Sequence, residues 1–422
     1  MMKLFKLGYV FVMLLVFVHN GVAQEFGILE PSGEVLETGF DNRSIAMGRT
    51  TTTTSQSSSA IFSNPSILGT LSQSQVQVGG KFLYGFVTNE VARADDSYQS
   101  YNAAFSPYPN RSLVALAVPF RLSDPRWHLV FGIGYQRNEG AKGDIQAVLS
   151  AERGDALEGE AVSIHGRRRR ALSTFTPGIA LNIQDRFFCG VTLNRTLGAI
   201  IYNNELKLSD HHTKVDEEQE QSAQFLRMGA LAKVTPELSI GFMYRQGFEW
   251  EFGEMITNRY ENGELQTDKD PTQTELTIPV MWGLGAEYKF FSDFSVALEV
   301  QSRPFSELRW SGGVNQRVFF DNGFNVAVGA EYLGAGFPLR FGAFRDVIPF
   351  VDENDTTPVS FTGLTVGAGS NSDTSLSWDA SALYGTWEQT NAMGQKYAED
   401  LIRANISVTY RFNGGTISSN TR

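Results

Sequence analysis

The sequence predicts an all-β chain that forms a transmembrane antiparallel β-barrel. Three observations predict it. Apolar residues recur with period two through most of the chain. The connections between these runs alternate between short and long. After an apparent export signal, no stretch is apolar for the ~18 or more residues that a spanning helix needs.

Composition narrows the classes. The chain has 422 residues and a formal net charge of -11, which argues against non-specific binding of nucleic acid. Gly and Phe are abundant, at 41 and 31. The single cysteine, Cys189, excludes an internal disulfide and a thiolate metal cluster. Mean hydropathy is slightly negative, as expected when half of every strand faces water. No linker or shift of composition follows Ser74, which favours one large domain over several.

Residues 1–23 read as a secretory signal peptide. Lys3 and Lys6 form the charged region, Leu7 to Val18 the apolar core, and Gly21-Val22-Ala23 the cleavage site. The core is too short for a membrane anchor. No cysteine follows the cleavage site, which argues against a lipid anchor. An export signal followed by barrel strands points to a bacterial outer membrane.

Residues 24–73 differ from the rest. Thr50 to Thr54, Ser55 and Ser57 to Ser59 show little alternation, and composition alone would suit a disordered tail. Yet Ser44-Ile45-Ala46-Met47-Gly48, the run of small residues, and Ala60 to Leu68 with its Asn64-Pro65-Ser66 turn form an ordered series. This series resembles the N-terminal hatch of the FadL-type outer-membrane transporters. In that family a Met-Gly pair, a small-residue stretch and an Asn-Pro-Ala motif recur at this spacing. Here Ser66 stands in place of the Ala, and Arg49 where the family usually has a second Gly. The resemblance implies that Met47, Gly48, Asn64, Pro65 and Ser66 set the hatch geometry.

Residues 74–412 read as the barrel. Strand candidates lie at 74–87, 97–107, 112–121, 127–138, 171–183, 187–198, 223–234, 237–247, 277–290, 293–303, 322–333, 337–346, 360–368, 374–387 and 400–412. The last is the clearest: Ile402, Ala404, Ile406, Val408, Tyr410 and Phe412 alternate with Arg403, Asn405, Ser407, Thr409 and Arg411. Phe324, Val326, Val328 and Ala330 likewise oppose Asn325, Gly329 and Glu331. Glu287, Lys289, Glu299 and Glu331 would each cost kilocalories facing lipid, so they are expected to face the lumen.

Long connections lie near 139–170, 199–222, 248–276, 304–321, 347–359 and 388–399. Short ones lie at 184–186, 235–236, 292, 334–336 and 370–373. That alternation is the outer-membrane arrangement, and a soluble sandwich has no reason for it. The candidates number fifteen, whereas a single-chain bacterial barrel normally has an even number. Counting back from the C-terminus places the error before residue 138: either 74–87 belongs partly to the hatch, or two early candidates are one strand. The resemblance, which extends through Phe225 to Tyr244, Thr277 to Gln301, Phe324 to Phe344 and Leu364 to Tyr384, implies fourteen. Residues 413–422 form a tail beyond Phe412, the aromatic end that the barrel-assembly machinery would read.

No catalytic constellation is present, so the chain is not expected to be an enzyme, and no cofactor is implied. His211-His212 with nearby acids, and Asp352-Glu353-Asn354-Asp355, read as solvated loops rather than metal sites. Arg167 to Arg170 would either engage lipopolysaccharide headgroups or form a solvated flank. Cys189 shares a face with Phe187, Val191 and Leu193 and is expected to face lipid. Two loops carry unusual apolar content: Phe248, Trp250 and Phe252, then Phe305 and Trp310. They read equally as an exposed groove capturing a hydrophobic ligand or as interfacial aromatics.

The resemblance implies passive uptake of hydrophobic molecules such as long-chain fatty acids or aromatic hydrocarbons. Ligand would bind near the outer loops, enter the lumen, and leave by lateral opening after the hatch shifts. Outer-membrane lipids would surround the barrel. The alternative is a PorV-like barrel of type IX secretion that holds exported proteins.

Overall fold

The computed structural model describes residues 41–92, 98–104, 108–122, 124, 126–139, 143–150, 161–207, 212–261, 264–270, 273–311, 322–347, 359–370, 374–390 and 396–412. The expected signal peptide (1–23), His211, Asp352 to Asp355 and the tail 413–422 lie outside these residues.

The chain forms a closed antiparallel β-barrel of fourteen strands, each paired with its neighbours in sequence. In order they are β1 (Ser74–Ala92), β2 (Tyr98–Ala104 continuing as Tyr108–Arg121), β3 (Trp127–Glu139 continuing as Gly143–Ser150), β4 (Ala161–Ile183) and β5 (Phe187–Lys207). Next come β6 (His212–Lys233), β7 (Leu238–Arg245 continuing as Phe248–Glu261), β8 (Glu264–Asp270, Thr274–Ile278 and Met281–Phe291) and β9 (Phe294–Arg303 with Arg309–Ser311). The last five are β10 (Gly323–Tyr332), β11 (Leu339–Val347), β12 (Ser360–Gly369), β13 (Leu376–Thr390) and β14 (Lys396–Phe412). Closure joins β1 to β14, from Ser74 opposite Phe412 to Glu90 opposite Lys396.

The even count comes from merging candidates 97–107 and 112–121. Both runs pair with β1, the first along Phe86 to Ala92 and the second along Gln75 to Leu83. Pro107 and Pro109 interrupt the alternation between them, and the register shifts opposite, between Lys81 and Phe82.

Alternation has the expected consequence. On β14, Leu401, Arg403, Asn405, Ser407 and Thr409 are buried, while Ile402, Ile406, Val408 and Tyr410 are exposed. The outer face is an apolar band that includes Phe131, Ile133, Phe175, Leu193, Met228, Leu284, Leu298 and Val328. Glu287, Glu299 and Glu331 are buried on the inner face. Lys289 shares that face but is exposed near the short-turn rim, and Cys189 is exposed on the outer face.

The expected long connections are largely strand. β4, β5 and β6 run for 23, 21 and 22 residues, about twice the 9–11 that cross a bilayer. Polar stretches such as 213–220 pair with their neighbours on both sides. A strand wet on both faces carries no period-two signal, so the sequence reads as loop. Arg167 to Arg170 are part of β4, and their side chains lie outside the described ones.

Candidate functional site

Residues 41–71 lie inside the barrel and divide between two arcs of its wall. The first part, through the short helix α1 (Asn42–Ala46) to Thr54, is tied to β8–β14 by polar contacts. Arg43 is its hub. It meets Glu287 at 2.9 Å and Glu331 at 2.7 Å, and also donates to the Thr54 carbonyl. Burial works against its charge, but the two carboxylates outweigh that and hold the guanidinium above its ordinary pKa. Arg340 joins Glu331 (2.6 Å) to Asp379 (2.7 Å). Asn42 donates to the Asp379 carbonyl at 3.0 Å. Glu299 accepts from the Thr52 amide at 2.6 Å and the Thr51 hydroxyl at 3.0 Å.

Met47 and Gly48 touch the wall backbone directly. A Cβ on Gly48, whose φ is +72°, would lie 2.2 Å from the Val328 carbonyl oxygen. One on Gly342 would lie 2.0 Å from the Gly48 nitrogen. Glycines on both sides are therefore a steric requirement. Arg49 also has positive φ, 72°, which explains why a glycine suits that place. Its guanidinium pairs with Asp346 and lies 5.2 Å from the Phe344 ring centroid.

The second part forms two 3-10 turns, Ser58–Phe62 and Pro65–Thr70, against β1–β6. Ile61, Phe62, Ile67, Leu68 and Leu71 pack with Leu113, Ala115, Ala117, Val130, Ala180, Phe188 and Leu231. Asn64 caps the second turn, accepting from the Ser66 amide (3.2 Å) and hydroxyl (2.7 Å), with Pro65 at the first turn position. Its amide group donates to the Thr52 carbonyl at 2.7 Å, linking the two parts. The Ser that replaces Ala at position 66 thus adds a bond.

Four of the five aromatics assigned to exposed loops, Phe248, Trp250, Phe252 and Phe305, are buried, which corrects both the groove and the interfacial placement for them. Phe248, Trp250 and Phe252 lie on β7 and point inward, while Glu249 and Glu251 between them are exposed. Phe305 is also buried, in the 3-10 turn Phe305–Glu307. These four pack with Leu276, Ile278, Met281, Leu308 and, from other arcs of the wall, Leu172, Ala223 and Val347. A cluster drawing on β4, β6, β7, β8, β9 and β11 can only fill the lumen. The alternation Phe-Glu-Trp-Glu-Phe carried this signal. Trp310 lies on the short strand Arg309–Ser311 opposite Leu276, and its side chain is outside the described ones.

Three arginines that sequence reading left unassigned to any site floor this cluster. Arg227 and Arg245 are opposite one another on β6 and β7, and Arg245 is opposite Met281. Arg245 lies 5.3 Å from the Phe248 ring centroid and 5.9 Å from that of Phe225. It donates to the Met281 sulfur at 2.7 Å; Arg303 reaches the same atom at 3.6 Å and the Gln301 side-chain oxygen at 2.7 Å. Arg227 donates to the Phe62 carbonyl. All three are at least 95% buried, and among the described residues none has a carboxylate partner. The Nε atoms of Arg227 and Arg245 have no acceptor. Like charges placed opposite each other repel, and an unpaired buried charge is costly. Such an arrangement can receive an anion.

The fold defines a membrane-spanning β-barrel of FadL-type architecture. In fold the chain is similar to the Pseudomonas putida toluene transporter TodX (TM-score 0.62, 14% identity, covering 89% of this chain and 98% of that one). It is also similar to a Pseudomonas aeruginosa FadL homologue (TM-score 0.59, 14% identity, 89% and 99%) and to the Ralstonia pickettii toluene transporter TbuX (TM-score 0.56, 14% identity, 90% and 100%). No protein-family model matches the chain, and no curated protein does. At this identity the likeness is one of fold.

Proposed function

We propose that the chain is a bacterial outer-membrane channel for passive uptake of hydrophobic molecules, and that it favours those with an anionic end, such as long-chain fatty acids. The carrying observation is the trio Arg227, Arg245 and Arg303 beneath the aromatic cluster. Phe248, Trp250, Phe252 and Phe305 offer an apolar lining to a hydrocarbon, and the trio offers guanidinium donors to its carboxylate. The fold neighbours named as toluene transporters support the hydrophobic class, while the trio favours an acid over a neutral hydrocarbon. Residues 41–71 would act as the hatch, since they occupy the lumen between the chamber and the short-turn end.

The test compares a fatty acid with the alcohol of the same chain length. A hydrogen bond to a charged group contributes about 1.5–3 kcal/mol, so Arg245→Met should weaken acid binding by ~10- to 150-fold and leave the alcohol within a few-fold. Equal loss of both ligands, or of neither, would remove the anionic reading. An interaction barrel of the PorV kind needs no lumen ligand, so a wild-type barrel that binds neither compound would favour that alternative.

A further inference from the structure

The inner face of β6 steps from the arginine floor toward the long-connection end through Arg227, Phe225, Ala223 and Gln221. β7 lines the same path from the neighbouring strand. Trp250 is opposite Ala223, and Phe252 is opposite Gln221. Phe225 and Phe248 stack just above the floor, with ring centroids 4.6 Å apart. Gln221 therefore stands at the end of the apolar chamber remote from the guanidinium groups.

An amide there has no packing reason. Gln221 is 3% exposed, and among the described residues neither its side-chain oxygen nor its nitrogen has a hydrogen-bond partner. It is the only amide side chain among them with both ends unanswered. Its cross-strand neighbours explain why: Phe252 on β7 has no polar side-chain atom, and Gly198 on β5 has no side chain at all. An unmet buried donor and acceptor cost stability that an apolar side chain of the same size would not. Buried polar groups are nearly always satisfied, so a doubly unmet one points to a role outside packing.

The backbone beside Gln221 is irregular as well. Phe252 is opposite Gln221, but Met255 is opposite Gln219, so β7 carries one extra residue between them. The Gln219 amide donates to the Gly253 carbonyl at 3.1 Å and holds this bulge. Bulges re-aim side chains and are frequent beside functional sites. Gln219 thus has a structural use for its amide, and Gln221 has none.

From Arg227 to Gln221 is six residue steps, about 20 Å along the strand. That is the reach of an extended long-chain acid. The group that satisfies a side-chain amide at both ends must accept from its nitrogen and donate to its oxygen. A hydroxyl does both, a carboxylate only accepts, and a methyl group does neither.

We propose that Gln221 reads a second polar group on the ligand, so that the chamber selects a long-chain acid bearing a hydroxyl at the end away from its carboxylate. This rests on the uptake reading above, with the carboxylate on the arginine floor. The hydroxyl donates to Gln221 Oε1 and accepts from Gln221 Nε2, and the aromatic cluster covers the hydrocarbon between.

The test measures binding of hexadecanoic acid and ω-hydroxyhexadecanoic acid to the purified barrel. Hydrogen bonds of ordinary net strength predict that wild type binds the hydroxy acid about 5- to 10-fold more tightly than the plain acid. Gln221→Met, of similar length but apolar, should bring the two affinities within about twofold of each other and bind the plain acid at least as tightly as wild type does. Arg245→Met should weaken both acids together and preserve their ratio, because it acts at the other end of the ligand. Equal binding of the two acids by wild type, or a preference that survives Gln221→Met, overturns the assignment and leaves the uptake reading standing. A wild-type barrel that binds neither acid would sink the uptake reading and this assignment with it.

Discussion

Arg43→Met should loosen the inner segment without disturbing the barrel, and the structure sets the size of the effect. The substitution removes contacts to Glu287, Glu331 and the Thr54 carbonyl. Glu331 retains Arg340 at 2.6 Å, so its charge stays compensated. Among the described residues, Glu287 retains only the Ser295 hydroxyl at 3.4 Å. Breaking a buried pair from one side costs ~3–5 kcal/mol, mostly through the charge left behind. With one of two carboxylates still paired, the lower end applies, about 3 kcal/mol or roughly a 150-fold rise in the open population. Arg43→Met with Glu287→Gln removes the orphan charge and should recover most of that loss. The assay is thiol labelling at Ser55→Cys in a Cys189→Ser background, because Ser55 is buried in the closed state and its hydroxyl has no partner. When opening is fast relative to labelling, the rate reports the open population. Arg43→Met labelling within threefold of wild type, or a double variant labelling as fast as the single, would refute the hub.

Deleting residues 44–68 should raise permeability to small hydrophilic solutes in liposomes while the barrel still assembles, and unchanged permeability would count against a plug. Gly229→Ala would put a Cβ 1.8 Å from the Asn64 side-chain oxygen, displacing the cap of the Pro65–Thr70 turn. We expect faster hydrogen exchange across 64–70, corresponding to about 1–3 kcal/mol of local destabilisation. Trp250→Ala should weaken fatty-acid binding at least tenfold by removing an apolar wall of the chamber, as measured by direct binding, with assembly unaffected.

The membrane-level part of the wall was legible in the sequence because one face of each strand must be apolar and the other need not be. Ile402 to Phe412 shows this in pure form. Legibility failed where that asymmetry ended. The stretch 213–220 is polar on both faces and reads as loop, yet it is strand because its neighbours supply backbone partners. Phe248-Glu249-Trp250-Glu251-Phe252 retains period two but with the sense inverted: above the apolar band, aromatics face in and carboxylates face out. A rule that sends aromatics to lipid therefore puts them on the wrong side. The arginine floor was hidden for a different reason. Arg227, Arg245 and Arg303 are far apart in sequence, and only the register of β6, β7 and β9 shows that they converge.

The two parts of the inner segment are held by different physics, and this predicts which one moves. From Asp41 to Arg49 the chain carries charge, and it is clamped through Arg43 and Arg49 to carboxylates on β8, β10 and β11. From Thr50 to Gly80 it carries none. Its second part is held on β1–β6 by apolar packing and by a few bonds to carbonyls, among them Arg227 to Phe62 and Asn182 to Gly69. Apolar contacts let a segment slide or lift with small gradual losses, whereas releasing a buried ion pair is an abrupt loss of several kilocalories. An anion reaching the arginine floor competes with the Phe62 carbonyl for Arg227, a residue on the uncharged side only. On the uptake reading, the charged part would serve as the fixed anchor, and the turn bearing Ile61 and Phe62 would be the part that a ligand displaces.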